Sequence, residues 1–194
     1  MKLLDTTGSN PKLKRSVELY RSLVDDSSSL EYRLAGLSLM PDDILCPYRH
    51  IAECAKLCLQ SAGMGVFPNV QAGRQRKTDW WHSDQAGFDI PWEKHGIPQE
   101  FPDIFFYDYT KNASRLGKTP DNYELMFSYS NAPKYQKHVA KALKTDVPMS
   151  VVFRNGMPLH YKGRRVIDGD ASDLVNVKAG KVIVGLVAKG KAKK

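Results

Sequence analysis

Short apolar runs dominate the second half of the chain and predict strands. The runs are rich in Ile, Val, Phe and Tyr and span residues 103–109, 123–129, 148–153 and 181–188. Between the second and third runs, residues 135–144 have the apolar spacing of a connecting helix. Because strand, helix and strand in succession are typical of a parallel sheet, this half predicts an α/β fold with a mostly parallel sheet.

The first half of the chain predicts three helices and one strand. Apolar residues fall at helical spacing over 16–23, 50–62 and 69–82. Gly63 follows the second of these and supplies a stop signal. Residues 31–39 alternate and then run apolar, which favours a strand that enters the core and leads toward the cysteines.

The length and composition favour one soluble domain, residues 1–194. A chain of 194 residues can bury one sizeable core. It has no run near the roughly 20 apolar residues of a membrane span, and its first residues lack the apolar centre of a signal peptide. We therefore expect neither membrane insertion nor secretion. All three cysteines lie in one short segment, which argues against a disulfide framework and favours a reducing cytoplasm.

The net charge of +8 indicates an acidic partner, for which nucleic acid is the commonest candidate. Part of that charge lies in residues 189–194, which we predict to be a flexible basic tail. Arg74, Arg76 and Lys77 precede two tryptophans and combine charge with stacking surface, as in proteins that bind single-stranded nucleic acid. The other interpretation of this stripe is a solvated helix face over a core aromatic residue.

Cys46, Cys54 and Cys58 form the most concentrated chemistry in the sequence. A helix would place the last two thiols, four residues apart, on one face about 6 Å from each other. On the same helix Cys46 would lie about 18 Å from Cys58, so it must come from the preceding loop. Three thiolates without an obvious fourth favour a four-iron, four-sulfur cluster with one open iron.

Two other interpretations of the cysteines stay open. His50 lies between Cys46 and Cys54 and could complete a zinc site of three cysteines and one histidine. Structural zinc usually shows cysteine pairs two to four residues apart, so the long first gap favours the cluster. The three cysteines could also be small buried residues of a core helix, because free cysteine is often buried.

Several segments resemble an uncharacterised bacteriophage family, the gene-product-88 group. The matching stretches are AGLSL at 35–39, Cys46-Pro47, Cys54, Cys58-Leu59, RKT at 76–78, DIPWE at 89–93, FYDYTK at 106–111, VIDGD at 166–170 and DL at 173–174. The resemblance implies a phage origin and the cytoplasm of a bacterial host. It implies no established activity.

At the level of fold, the element order and the three-cysteine loop are similar to the partial (βα) barrels of radical S-adenosylmethionine proteins. Their motif is usually CxxxCxxC, and the spacing of Cys46, Cys54 and Cys58 departs from it. This similarity implies S-adenosylmethionine as a cofactor at the open iron.

Polar residues follow the predicted strands at the end where a parallel sheet places its ligands. Asp108, Lys111 and Asn131 are the candidate catalytic residues. Thr110, Ser128, Ser130 and Arg154 are the candidate cofactor-binding residues. Cys46 is expected at the same edge, and this convergence favours a reactive site. These residues also have interpretations without a functional role: Asp108 and Lys111 could be an exposed ion pair, and residues 128–131 could form a turn.

Residues 166–173 carry three carboxylates, Asp168, Asp170 and Asp173, which could bind a hard cation or orient a substrate. Asp-Gly is also a common turn signal, and we favour the turn.

Two functional hypotheses follow. The first is a phage enzyme whose cluster and basic surface act on a nucleotide or nucleic acid. The second is a non-catalytic module, stabilised by a cluster or zinc, that binds nucleic acid or a host protein.

Overall fold

The fold is a mixed α/β arrangement built on a six-stranded, mostly parallel sheet. It comes from a computed structural model that describes residues 4–23, 32–58, 60, 62–83 and 96–193. The helices are α1 (Pro11–Leu23), α2 (Pro68–Ser83), α3 (Ile97–Glu100) and α4 (Gln136–Leu143). The strands are β1 (Asp5–Thr6), β2 (Ala35–Gly36), β3 (Phe106–Thr110), β4 (Tyr123–Ser128), β5 (Met149–Phe153), β6 (His160–Tyr161), β7 (Arg164–Asp168) and β8 (Ile183–Val187).

The main sheet has the strand order β3-β4-β5-β8-β7-β6. All neighbouring strands are parallel except β6 and β7. The four predicted strands are β3, β4, β5 and β8, so their existence and the mostly parallel sheet are confirmed. The partial barrel and the single-domain boundary stay predictions.

An antiparallel hairpin at the sheet edge was not predicted from the sequence. β6 and β7 are joined by Lys162 and Gly163, which both have positive φ, 51° and 76°. Two such residues form the tight turn that suits a two-residue hairpin. The sequence signal was weak because β7 begins with two arginines, of which Arg164 is only 3 % exposed.

Apolar side chains from the centre of the sheet form the main core with α4. Phe127, Met149 and Ile183 are fully buried there, together with Tyr135 and Val139. The opposite face of the sheet carries a smaller cluster around Met126, Val182 and Val184. A mixed sheet buried on both faces explains why its strands read as continuous apolar runs.

The predicted helix over 50–62 is wrong. Its described residues form turns and a short 3₁₀ segment, Ala55–Leu57. Glu53 has a φ of 54°, and Cys58 is extended at φ −58° and ψ 139°, so neither continues a helix. Tertiary packing explains why this segment is not a helix. Ala52 is 3 % exposed and packs in the main core although its backbone is in a loop, and this contact outweighs the helical spacing of the sequence.

The strand predicted over 31–39 is reduced to β2, which pairs with β1 in a separate two-stranded sheet. It does not enter the main sheet, because its two paired residues find their partner in the N-terminal segment instead. Residues 31, 59, 61, 89–93 and 194, which belong to segments named above, lie outside the described residues.

The three other predicted helices are confirmed as α1, α2 and α4. α1 begins earlier than expected, at Pro11, because the Asn10 side chain accepts the backbone N–H of Lys12 at 3.0 Å and caps the first turn. Across the described ranges, no helix is both long and apolar enough to span a membrane.

Candidate functional site

Residues 46–58 form a segment of turns, named here the cysteine loop, and Asp42 fixes its start. Its Oδ1 accepts the backbone N–H groups of Ile44 and Leu45 at 2.9 and 2.8 Å, and its backbone carbonyl accepts that of Cys46 at 3.0 Å. Its Oδ2 lies 2.6 Å from Nε2 of His82 in α2. One aspartate therefore joins the turn before Cys46 to a helix that is distant in sequence.

Acid should weaken this anchor. Burial acts to raise the pKa of Asp42, but hydrogen bonds from His82 and from the backbone of Leu45 and Ile44 outweigh it, so the pKa lies below its ordinary value. A carboxyl group with a depressed folded pKa contributes stability above its unfolded pKa, near 3.8, and loses it as the pH falls through the folded value.

We predict that Asp42→Asn costs up to about 1 kcal/mol of unfolding free energy at pH 7, because the amide keeps the acceptor for the turn and loses the charge that faces His82. The difference from the native chain should shrink as the pH falls from about 4 through the lower folded pKa of Asp42, because the native carboxylate is then protonated as well. Urea unfolding at pH 7, 5 and 3 measures it, with the exposed Asp103→Asn as the charge control. A difference that grows toward pH 3 would contradict the assignment.

The loop is held to the main sheet near Cys54. The backbone N–H and the thiol of Cys54 both point to the carbonyl of Arg49, at 3.1 and 3.7 Å. The hydroxyl of Ser130, just beyond β4, donates to the carbonyl of Ala52 at 2.7 Å. Cys54 itself packs against the main core. The loop thus lies against the carboxyl end of β4.

The other two cysteines act electrostatically on the Cys46 thiol. Burial is the largest cause that raises the pKa of the Cys46 thiol, followed by the charges of Cys54 and Cys58, whereas Arg49 lowers it. All three cysteines are free and half-buried. Over the described part of the chain, no three or more His, Cys, Asp or Glu side chains are grouped so that they could hold a metal ion. The thiols are therefore neighbours without a coordinating arrangement.

Lys111 carries its ammonium group toward the thiols. Nζ donates to the backbone carbonyl and the hydroxyl of Ser128, both at 3.1 Å, and lies 5.3 Å from the ring centroid of Tyr135. Burial lowers the pKa of Lys111, while the thiolate charges of Cys54 and Cys46 act to raise it. The half-buried Lys111 ammonium group therefore lies within electrostatic reach of two of the three cysteines.

Tyr135 supports this arrangement from the core. Its hydroxyl donates to the carbonyl of Lys111 at 2.7 Å, and its fully buried ring stacks on Phe127. Burial, and next the charge of Cys54, raise its pKa, so it stays a neutral donor. Sequence reasoning missed both Tyr135 and Asp42. A tyrosine at the start of the helix after β4, and an aspartate four residues before Cys46, were the available signals.

A family model described as gene product 88 matches residues 6–90 and 86–194. The chain belongs to the gene product 88 family. No curated protein matches it, and no solved structure matches it either. In this member of the gene product 88 family, the cysteine loop falls in the first matched segment, and Lys111, Ser128 and Ser130 fall in the second.

Other predicted site residues make different contacts. Asp108 is exposed and accepts the N–H of Tyr109 at 2.7 Å, and the buried Thr110 accepts that of Asn112 at 3.1 Å. Asn131 is exposed and accepts the hydroxyl of Tyr129 at 3.2 Å. The structure thus brings Lys111, Ser128 and Ser130 to the cysteine loop, and Asp108, Thr110 and Asn131 have neighbours of their own.

Arg154 faces the C-terminal tail. Its Nε donates to the carbonyl of Ala192 at 2.9 Å. Residues Gly190–Lys193 form a 3₁₀ turn that lies against Ala55–Leu57 of the cysteine loop. The tail therefore borders the site, and its flexibility stays a prediction.

The three basic residues predicted to form one stripe on α2, Arg74, Arg76 and Lys77, differ in exposure and in their contacts. The Lys77 side chain is 12 % exposed and lies 3.7 Å from the carboxylate of Asp5. Arg74 is half-buried beside Gly65, and Arg76 is exposed. These three residues do not share one open face.

The three carboxylates near β7 accept hydrogen bonds from the backbone or form ion pairs with lysines. Asp168 accepts the N–H of Asp170 at 2.9 Å across the turn that the Asp-Gly signal indicated. Asp170 accepts the N–H of Val187 at 2.7 Å and pairs with Lys189, and Asp173 pairs with Lys12 at 3.5 Å. The turn interpretation of this segment is confirmed.

Proposed function

We propose that this gene product 88 protein binds a four-iron, four-sulfur cluster through Cys46, Cys54 and Cys58. The observation that supports the proposal best is the placement of three free, half-buried thiols in one loop, which lies against the carboxyl end of β4 near the Lys111 ammonium group. Three thiolates leave one iron of such a cluster without a protein ligand. The loop would have to turn the thiols toward one centre, and metal binding supplies the free energy for such a rearrangement.

The residues that would serve the open iron are those at the same edge. Lys111 would meet a carboxylate of a bound small molecule, and Ser128 and Ser130 would hold the loop against β4. S-adenosylmethionine is the cofactor that the radical enzymes place on an open iron, and Asp108 and Asn131 are the further catalytic candidates. The partial barrel, the phage origin and the host cytoplasm belong to the same proposal.

A second candidate is a non-catalytic module in which zinc or a cluster fixes the loop for a nucleic acid or a host protein. A zinc site would need His50 as the fourth ligand. Its Nε2 instead lies 2.7 Å from Asp43, and its side chain is 68 % exposed. This placement favours the cluster over zinc, because recruiting His50 would first break its contact with Asp43.

We predict that anaerobically purified protein is brown and carries about four irons and four sulfides per chain. Cys46→Ala, Cys54→Ala and Cys58→Ala should each lose the cluster, and His50→Ala should keep it. Elemental analysis, sulfide analysis and optical spectra measure the outcome. Stoichiometric zinc without sulfide, lost on His50→Ala, would replace the cluster with the zinc site.

A substitution of Lys111 distinguishes the hypothesis of an enzyme from that of a non-catalytic module. Paramagnetic resonance of the dithionite-reduced cluster should change on addition of S-adenosylmethionine, and Lys111→Met should diminish the change while iron stays at about four per chain. Lys118→Met, an exposed lysine of the same loop region, is the matched control. A spectrum insensitive to S-adenosylmethionine in the native protein would favour the non-catalytic module.

A further inference from the structure

Four exposed cations from three segments of the chain meet beside the cysteine loop. We name them the rim cations: Lys56, Arg154, Lys191 and Lys193. Lys56 lies in the 3₁₀ turn Ala55–Leu57, against which the tail turn Gly190–Lys193 packs, and Arg154 binds the Ala192 carbonyl of that tail. Residues distant in sequence thus form one basic surface.

The rim cations are not neutralised from within the described ranges, where no carboxylate forms an ion pair with any of them. Lys189 differs, because it pairs with Asp170 and is therefore not counted among them. Exposed cations without carboxylate partners attract a polyanion, and each phosphate contact releases condensed counterions.

Three aromatic rings, partly buried against the main core, lead from the residue before Arg154 to the β6–β7 hairpin. Phe153, directly before Arg154, lies edge-on to Tyr161 with ring centroids 5.4 Å apart. Tyr161 meets Tyr129 at 5.7 Å, and their hydroxyls are 3.1 Å apart. The ammonium group of Lys162 lies 5.8 Å from the centroid of Tyr161. The turn of the β6–β7 hairpin therefore presents a ring and a cation together.

We propose that the rim cations and Tyr161 bind single-stranded nucleic acid, with phosphates on the cations and a base on the ring. Unpaired bases can stack on aromatic side chains, whereas the bases of a duplex are already stacked on each other. The inference deepens the proposed function by naming a partner that binds at the same edge of the sheet. Binding of the nucleic acid does not require the cluster. Only the further step, in which the nucleic acid is the substrate of a cluster, rests on the proposed function.

The predicted stripe on α2 is a weaker candidate for this partner. Lys77 is largely buried against Asp5, and Arg74 is turned toward Gly65. Only Arg76 of the three is exposed. Phosphate binding needs accessible charge, so the rim cations are the better surface.

The charge test compares two variants with the same net charge. In the rim variant, Lys56→Glu, Arg154→Glu, Lys191→Glu and Lys193→Glu are combined. The control variant combines Arg15→Glu, Lys118→Glu, Lys134→Glu and Lys137→Glu, which are also exposed. Fluorescence anisotropy with labelled 15-mers of deoxythymidine and of uridine measures the affinity. The rim variant should bind at least tenfold more weakly than the control variant, and its slope of log K against log salt should be shallower by about 3.

The ring test uses two substitutions at one position. Tyr161→Ala should weaken binding about tenfold, because base stacking is lost, and Tyr161→Phe should bind within about twofold of the native protein. Equal thermal midpoints exclude unfolding as the cause. A preference between the two 15-mers assigns the partner to DNA or RNA.

Several results would overturn this inference. They are absence of binding to both 15-mers by the native protein, equal loss in the rim and control variants, or equal affinity for a duplex of the same length. Iron content is measured on every variant to keep the two proposals apart. If Cys46→Ala lacks iron and still binds the 15-mers through the rim cations, the nucleic-acid surface stands without the cluster.

Discussion

Arg164→Ala is expected to lower the free energy of unfolding by about 3–5 kcal/mol, since it removes a buried charge from a set of carbonyl acceptors. Arg164 is 3 % exposed, and its guanidinium donates to the carbonyls of Thr145 and Val147, both at 2.6 Å. It also reaches those of Ala142 and Leu143 at 3.3 and 3.2 Å. These carbonyls end α4 and begin the path to β5, so one side chain from β7 caps the helix.

The neighbouring arginine offers a matched control. Arg165 follows Arg164 in β7 and is exposed, so Arg165→Ala should change stability by no more than about 0.5 kcal/mol. Arg164→Lys should recover part of the loss, because an ammonium group keeps the charge and reaches fewer acceptors. Guanidinium unfolding followed by circular dichroism measures all three. Equal midpoints for Arg164→Ala and Arg165→Ala would refute the capping role.

The sequence carried enough information for the central sheet. β4, β5 and β8 carry buried residues on both faces and therefore appear as short apolar runs, and α4 lies where the helical spacing placed it. Parallel order followed because a helix separates two such runs. In contrast, β7 presents two arginines at its start, and no pattern of apolar residues indicates that one of them is inside.

The cysteine loop shows why local periodicity was insufficient. Residues 50–62 have helical spacing, yet Ile51, Ala52 and Cys54 satisfy their apolar surface on the main core without forming a helix. The contact that fixes the loop is the hydrogen bond from Ser130 to the carbonyl of Ala52, across 78 positions of the chain. No local pattern encodes a backbone acceptor at that distance, so this part of the fold needed the structure.

The site was predicted in part. The rule that ligands gather at the carboxyl ends of parallel strands led to Lys111, Ser128 and Ser130, and the structure places all three beside the loop. The same rule also selected Arg154, which holds the tail, and Asp108, which bonds to its own strand. Strand ends identify an edge of a sheet, and side-chain packing decides which residues on it meet.

Gly169→Ala is expected to destabilise the protein by about 1–3 kcal/mol, because the added methyl group has no room in a closely packed site. A Cβ at this position would lie 2.3 Å from Cγ1 of Val184 and 3.1 Å from the carbonyl oxygen of Gly185. The N–H of Gly169 donates to that same carbonyl at 2.8 Å, so backbone and strand cannot separate without losing the bond. The turn after β7 must therefore shift as a unit.

The shift of the turn after β7 that Gly169→Ala causes should also move the tail that carries two of the rim cations. Asp170, next in sequence, accepts the N–H of Val187 and pairs with Lys189 at the base of the tail. Gly36→Ala is the control, because nothing lies within 4 Å of its added Cβ, and it should leave stability unchanged or raise it by up to about 1 kcal/mol. Thermal unfolding and the 15-mer anisotropy assay test both substitutions.

We expect Gly169→Ala to lower the midpoint of thermal unfolding. It should also weaken 15-mer binding at temperatures below that midpoint, since Asp170 can no longer hold the tail beside Arg154. If Gly169→Ala matches Gly36→Ala in both measurements, the close approach of the turn to β8 is wrong.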